Sequence, residues 1–161
     1  MQLQVKKLEI TLYFANIQRN KGDVMKTVFL AGPMRGFSDA EGRKKTLWWR
    51  EEAKKMLSSH FIVKHAYRGR ENGETFPDPK GAIMRDKQDV LSADVIIVND
   101  TIPDASMIGT AMEVLFAFLH NKTIIVFGDA HKGDYWLDYH ATMRVKDMDE
   151  AINICKDLFY E

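Results

Sequence analysis

Short runs of branched apolar residues, each bounded by turn formers and separated from the next by a helical stretch, constrain this chain more than any other feature. "TVFLAG" (27–32), "DVIIVN" (94–99) and "KTIIVFG" (122–128) are continuous rather than alternating, as strands buried on both faces must be. "HFIVKHA" (60–66) reads as a further strand and "TMRVKD" (142–147) as a short last one. Residues 39–58, 81–92, 109–120 and 147–159 read as helices. That alternation requires a parallel sheet covered by helices, an α/β architecture. In the first helix Ser38 or Asp39 is placed to cap the amino end, with Trp48, Ala53, Met56 and Leu57 contributing to the apolar side.

The chain has 161 residues, 45% of them hydrophobic, enough to bury one core without staples. Its 23 basic and 23 acidic residues cancel, which removes the electrostatic footprint of a general nucleic-acid binder and favours a small-molecule ligand. The single cysteine, Cys155, has no internal partner, and neither it nor the five histidines fall into metal-ligand spacing. A reducing, cytoplasmic setting fits. No apolar run approaches the length of a membrane span, and the amino terminus lacks a signal-peptide pattern. The stretch from Tyr67 to Lys80, "YRGRENGETFPDPK", is polar and long for a compact domain, the kind of loop that often serves as a lid or mobile segment.

Residues 1–25 stand apart as an N-terminal extension to a single domain at 26–161. "KKLEITLYFANIQ" alternates like a strand but precedes what reads as a natural opening, "MKTVFLAGPMRG". Either it adds an edge strand, or Met25 is the true start and the leader is translated upstream sequence. Lys21-Gly22-Asp23 can be encoded as AAAGGAGAT, a ribosome-binding sequence just before the Met25 codon. The mass of the protein made from its native gene decides between them.

In open α/β sheets ligands bind beyond the carboxyl ends of the strands, so the loops after each strand are the places to search. After the first comes "GPMRG": Gly32 and Gly36 permit close backbone approach, Pro33 stiffens the turn, Met34 follows it, and Arg35 offers a planar cationic fork for phosphate or carboxylate. A plain Gly-Pro turn with a solvated arginine explains the same residues. After "DVIIVN", which ends in Asn99, "DTIPDASMIGTAME" brings Ser106, Gly109, Thr110 and Glu113 to the start of the next helix. Thr110-Ala-Met-Glu113 matches a capping box, which alone accounts for Glu113. The turns that follow, "VLFAFL", are apolar on almost every side, so the helix is expected to be buried with its amino end in the crevice. The helix dipole there favours an ionised carboxylate, the state a nucleophile needs. A second acid comes from "AIMRDKQDVLSADV". Asp94 begins a strand, at the far end of the sheet, whereas Asp86 and Asp89 are three apart on a helix and spacing does not choose between them.

The stretch from Asp86 through Lys122, with "VFLAGP" at the front, resembles the nucleoside 2-deoxyribosyltransferase superfamily, which includes 2'-deoxynucleoside 5'-monophosphate N-glycosidases. The specific feature is a combination: an Asp eight residues before the Asp of "ADVIIV", then "IPD", then a Gly four residues before a Glu. The resemblance implies that Glu113 is the nucleophile at the anomeric carbon, that Asp86 rather than Asp89 assists at the base, and that "GPMRG" forms part of the sugar and phosphate side. It further implies substrate contacts from Gly32, Pro33, Met34, Arg35, Gly36, Asn99, Ser106, Gly109 and Thr110, no metal or organic cofactor, and a homo-oligomer whose neighbouring subunit helps complete each site.

The chain departs from that pattern in places. Met107 stands where many deoxyribosyltransferases have a base-contacting Asp and monophosphate hydrolases a phosphate-binding Ser, with Ser106 one residue earlier. Phe29 stands where many relatives have a Tyr that contacts the nucleophile. In "GDYWLDYHATMR", Tyr135, Trp136 and His140 either stack on a base or pack the rim, with packing favoured for two of the three. Phosphoribohydrolases share a Gly-Thr-x-x-Glu signature but carry a double glycine where this chain has "SMI". A nucleotide-sensing module with Glu113 as a mere cap is the non-enzymatic alternative. The reading adopted is a Rossmann-like or flavodoxin-like three-layer sandwich with roughly five parallel strands. It cleaves or exchanges the N-glycosidic bond of a 2'-deoxynucleoside or its 5'-monophosphate.

Overall fold

The computed structural model describes residues 24–34, 40–71, 74 and 76–160. The leader, the Ser38 or Asp39 cap, and Arg35 and Gly36 of the candidate site lie outside them. The described chain runs β1 (Lys26–Ala31), α1 (Ala40–Leu57), β2 (Phe61–His65), α2 (Pro79–Ser92), β3 (Val95–Asn99), α3 (Ile108–Leu119), β4 (Thr123–Phe127), α4 (Tyr135–His140), β5 (Met143–Val145) and α5 (Met148–Tyr160). All strand pairs are parallel, and the sheet order is β2-β1-β3-β4-β5. This is the flavodoxin-like doubly wound order, whose switch point lies between β1 and β3. The expected five-stranded parallel sheet and three layers are both present.

Alternation along the strands sorts the core into two halves. Val28, Leu30, Val95 and Ile97 pack against Trp49, Ala53 and Leu57 of α1 and Ala151, Ile152 and Cys155 of α5. Their neighbours Phe29, Ala31, Ile96 and Val98 face the other way, against Val90 of α2, Val114 and Ala117 of α3, and Leu137 of α4. Cys155 is sealed in the first half, where burial pushes its thiol up to about 12, so it behaves as a small apolar residue. No described helix is long and apolar enough to cross a membrane.

Three expectations are corrected, and one helix is added. The buried face of α1 is Thr46, Trp49, Arg50, Ala53 and Leu57, whereas Trp48 is 63% exposed and Met56 lies at the edge. The helix is turned so that Trp49 and the buried Arg50 point inward. No capping box forms in α3: the helical ladder starts with Ala111 N donating to Met107 O, Met107 is the cap residue without a side-chain bond, and Thr110 is already inside the first turn. Nor is α3 buried all round, because the sheet covers one side while Ile108, Met112 and Leu119 face outward. Finally, "YWLDYH" forms a short helix, α4, capped by Asp134, whose carboxylate accepts from Leu137 N at 3.0 Å.

Candidate active site

The site assembles over the carboxyl ends of β1 and β3, where the sheet reverses its order of winding. Gly32 leaves β1 so close to β3 that a Cβ on it would stand 3.1 Å from Asn99 Cβ and 3.0 Å from the Trp49 ring. Packing therefore favours glycine at this position. Asn99 is buried, and its Oδ1 accepts from both Thr101 N (2.9 Å) and Thr101 Oγ1 (2.7 Å). That bond pair turns the chain sharply after β3 and frees the following loop to reach the head of α3.

Three charged groups converge there from three helices. Glu113 projects from the second turn of α3, beyond the reach of the helix cap. Burial pushes its carboxyl up to about 8, the Asp86 charge adding to the effect and Arg50 opposing it. Asp86, from α2, is likewise raised by burial, with Arg85 and Arg70 pulling the other way. Arg50, from α1, is 1% exposed, and desolvation lowers its guanidinium to about 10, so it stays cationic at neutral pH. The expectation of a carboxylate held ionised by the helix dipole is thus overturned. A second-turn residue feels the helix dipole weakly, and burial acts against the ionised form.

The two acids three apart on α2 separate cleanly. Asp89 is buried against Arg68 (2.7 Å) and Lys64 (3.2 Å), a structural pairing that ties α2 to β2 and its loop. Asp86 is left with a loose contact to Arg85 (3.6 Å) and a buried Oδ1 without a hydrogen bond among the described residues. Asp94 receives Thr27 N at 2.8 Å at the amino end of the sheet, away from the site. The loop after β2 is pinned at its root: Arg70 and Arg85 both donate to Ala66 O, at 2.5 and 2.7 Å, and the guanidinium group of each lies 4.9 Å from the Phe76 ring.

Of the remaining expected residues, Thr110 is buried one turn before Glu113, whereas Ser106 and Gly109 are exposed at the head of α3. A Cβ placed on Gly109 would meet no atom within 4 Å, so that end of the helix is open. Pro33, buried, and Met34, half-buried, continue the chain from Gly32. Met107, half-buried, packs against the core half that also holds Phe29. His140 packs edge-on to Phe118 (4.7 Å) and flat against Trp136 (5.7 Å). Tyr135 and Trp136 are exposed, so one of the three packs where two were expected. Sequence reasoning missed Arg50 and Tyr67, the latter wholly buried with its hydroxyl 2.6 Å from Thr46 Oγ1. The available signal was an i, i+3, i+4, i+7 register through Thr46, Trp49, Arg50 and Ala53, concealed because an arginine on an apolar face reads as a break in it.

No family model and no curated protein matches the chain by sequence. Solved structures do. A 2-deoxyribosyltransferase from Leishmania mexicana superposes with a TM-score of 0.57 at 16% identity, over 84% of this chain and 99% of its own. The CMP N-glycosidase BcmB from Clostridium botulinum gives 0.53 at 19%, over 83% and 100%. A conserved protein from Enterococcus faecalis gives 0.61 at 13%, over 83% and 99%. The chain therefore shares its fold with a 2-deoxyribosyltransferase and a CMP N-glycosidase.

Proposed function

We propose that the protein cleaves or exchanges the N-glycosidic bond of a 2'-deoxynucleoside or its 5'-monophosphate. The observation that carries this reading is the placement of Glu113: a carboxyl withdrawn from water, off the cap, and coupled to a second enclosed carboxyl on another helix at the switch point. Ionised Glu113 attacks the anomeric carbon as the bond to the base nitrogen breaks, giving a covalent glycosyl-enzyme and the free base. Asp86 in its acid form donates to the departing base. Water or a second base then displaces Glu113 and defines hydrolase or transferase.

The two carboxyls do not titrate independently. In the free protein burial favours a proton on Glu113, whereas the reaction needs that proton on Asp86 or the base. Substrate binding has to complete the transfer. Gly32, Pro33, Met34, Asn99 and the open head of α3 around Ser106, Gly109 and Thr110 supply the sugar side, and Arg35 with Gly36 the phosphate side. The protein works as a homo-oligomer, its neighbouring subunit closing the mouth of the site.

Chromatography of free base released from a panel of deoxynucleosides and their monophosphates, with and without an acceptor base, tests the reading. Release by wild type that vanishes in Glu113→Ala is expected. A folded wild type that turns over no member of the panel overturns it. If the substrate carries a phosphate, Arg35→Ala raises KM for the monophosphate far more than for the nucleoside, and equal effects remove Arg35 from the phosphate side.

A further inference from the structure

Arg50 is an arginine wholly inside the protein, and among the described residues no ion pair joins it to a carboxylate. Burying a cation in that way is costly unless its donors are used. The two terminal nitrogens are used on the main chain, while Nε has no partner among the described residues. Nη2 donates to Gly32 O at 2.7 Å, and Nη1 donates to Thr46 O at 2.6 Å and to Pro33 O at 3.4 Å. The guanidinium also lies 4.6 Å from the Trp49 ring and 5.3 Å from that of Tyr67. A planar fork with five donors meets this arrangement, and an ammonium does not. Two of the accepting carbonyls belong to the turn that leaves β1 at the mouth of the site.

We infer that Arg50 is a positioning residue of the Glu113 site: it fixes the Gly32–Pro33 turn through its carbonyls and brings a buried positive charge to that end of the sheet. The inference deepens the proposed reaction and rests on it for its kinetic consequence. Its electrostatic half stands alone. The charged groups acting on Glu113 are Arg50 from α1 and Asp86 from α2, with Arg85, Arg70 and Asp89 acting on Asp86 in turn. Tyr67 faces Arg50 from the β2 loop. Lys87 of α2 reaches only as far as Phe116 on α3, and His140 of α4 packs on Phe118, both further along the helix than Glu113. Arg50 is therefore the cation that acts on Glu113, against burial and the Asp86 charge.

The test follows the ¹³C resonance of the Glu113 side-chain carboxyl against pH, assigned with E113Q, in wild type, R50Q and R50K. In R50Q the Glu113 midpoint moves upward by about one pH unit or more. In R50K, where the charge stays, it remains within about half a unit of wild type. An unmoved midpoint in folded R50Q, or a full-unit displacement in R50K, overturns the electrostatic role. Activity reads the other half: R50K loses kcat by about tenfold or more with KM little changed, because one ammonium cannot hold three carbonyls in register. Wild-type kcat in R50K overturns the positioning role, and R50K carries the test if R50Q does not fold. Absence of glycosidic turnover in wild type sinks the proposed reaction, while the titration still decides whether Arg50 governs Glu113.

Discussion

Glu113 is the residue at which function and stability pull in opposite directions. Its carboxyl rises from an ordinary 4.5 to about 8 in the folded chain, chiefly through burial. The native state therefore binds more protons than the unfolded state between those values, and native stability falls as pH rises through that window. The full contribution is present below the unfolded value and is lost above about 8. Glu113→Gln, neutral at every pH, escapes the loss. Thermal melts are expected to coincide near pH 4 and to diverge toward pH 8, the variant becoming more stable by on the order of 2 to 4 kcal/mol. Parallel melting curves across the range would show that Glu113 ionises as freely in the fold as outside it. The same titration predicts the activity profile: the reaction needs one proton on the Glu113–Asp86 pair, so kcat/KM of the free enzyme falls as pH rises through the Glu113 value, a basic limb near pH 8. At the other side of the crevice, Gly32→Ala presses a methyl to within 3.0 Å of Trp49 and 3.1 Å of Asn99. A loss of about 1 to 3 kcal/mol in chemical denaturation is expected, since both neighbours are packed side chains with little room to retreat.

Among the elements, the strands were legible in the sequence and the faces of the helices were less so. β1, β3 and β4 are buried along nearly their whole length, and continuous runs of Val, Ile and Phe state that burial directly. Helix faces are inferred from which residues water should avoid, and α1 breaks the rule twice by burying Arg50 and exposing Trp48. Once Arg50 is taken for a solvent residue, the helix is read about one position out of phase and a key member of the site disappears from view. At α3 a Thr and a Glu at capping spacing concealed that the helix begins earlier, at Ile108. Asp86 was selected over Asp89 by resemblance alone. The structure supplies the physical distinction, since Asp89 spends its charge on Arg68 and Lys64. Helix α2 carries Asp86 and has a true cap: Asp78 accepts from Lys80 N at 2.9 Å with Pro79 at the first helical position. Asp78→Ala is expected to cost about 1 kcal/mol by urea unfolding while leaving kcat close to wild type. A large fall in kcat without loss of stability would mean that the Asp78 end of the loop itself meets the substrate.

Among the described residues, α3 and α4 together present an exposed apolar surface. Ile108, Met112, Leu115 and Leu119 recur along α3 at spacings of four, three and four, the seam that accepts the ridge of another helix. Ile108, Met112 and Leu119 are each more than 60% exposed, and Trp136 and Tyr139 of α4 border them with their own exposed rings. Glu113 is the only charged residue in α3 and turns away from this seam into the site. The seam therefore presents no charge that a copy of itself would repel, which suits an isologous contact in which α3 packs on α3 across a two-fold axis. The proposed homo-oligomer is expected to use this seam, which lies on the helix that carries Glu113. Met112→Glu and Leu119→Glu place carboxylates against their own symmetry mates. Sedimentation equilibrium is expected to show an oligomer for wild type and a folded monomer for either variant, with base release reduced in proportion to dissociation. A variant that sediments like wild type would place the subunit contact elsewhere, and a wild type that is monomeric at micromolar concentration would leave each site to work with the residues of one chain.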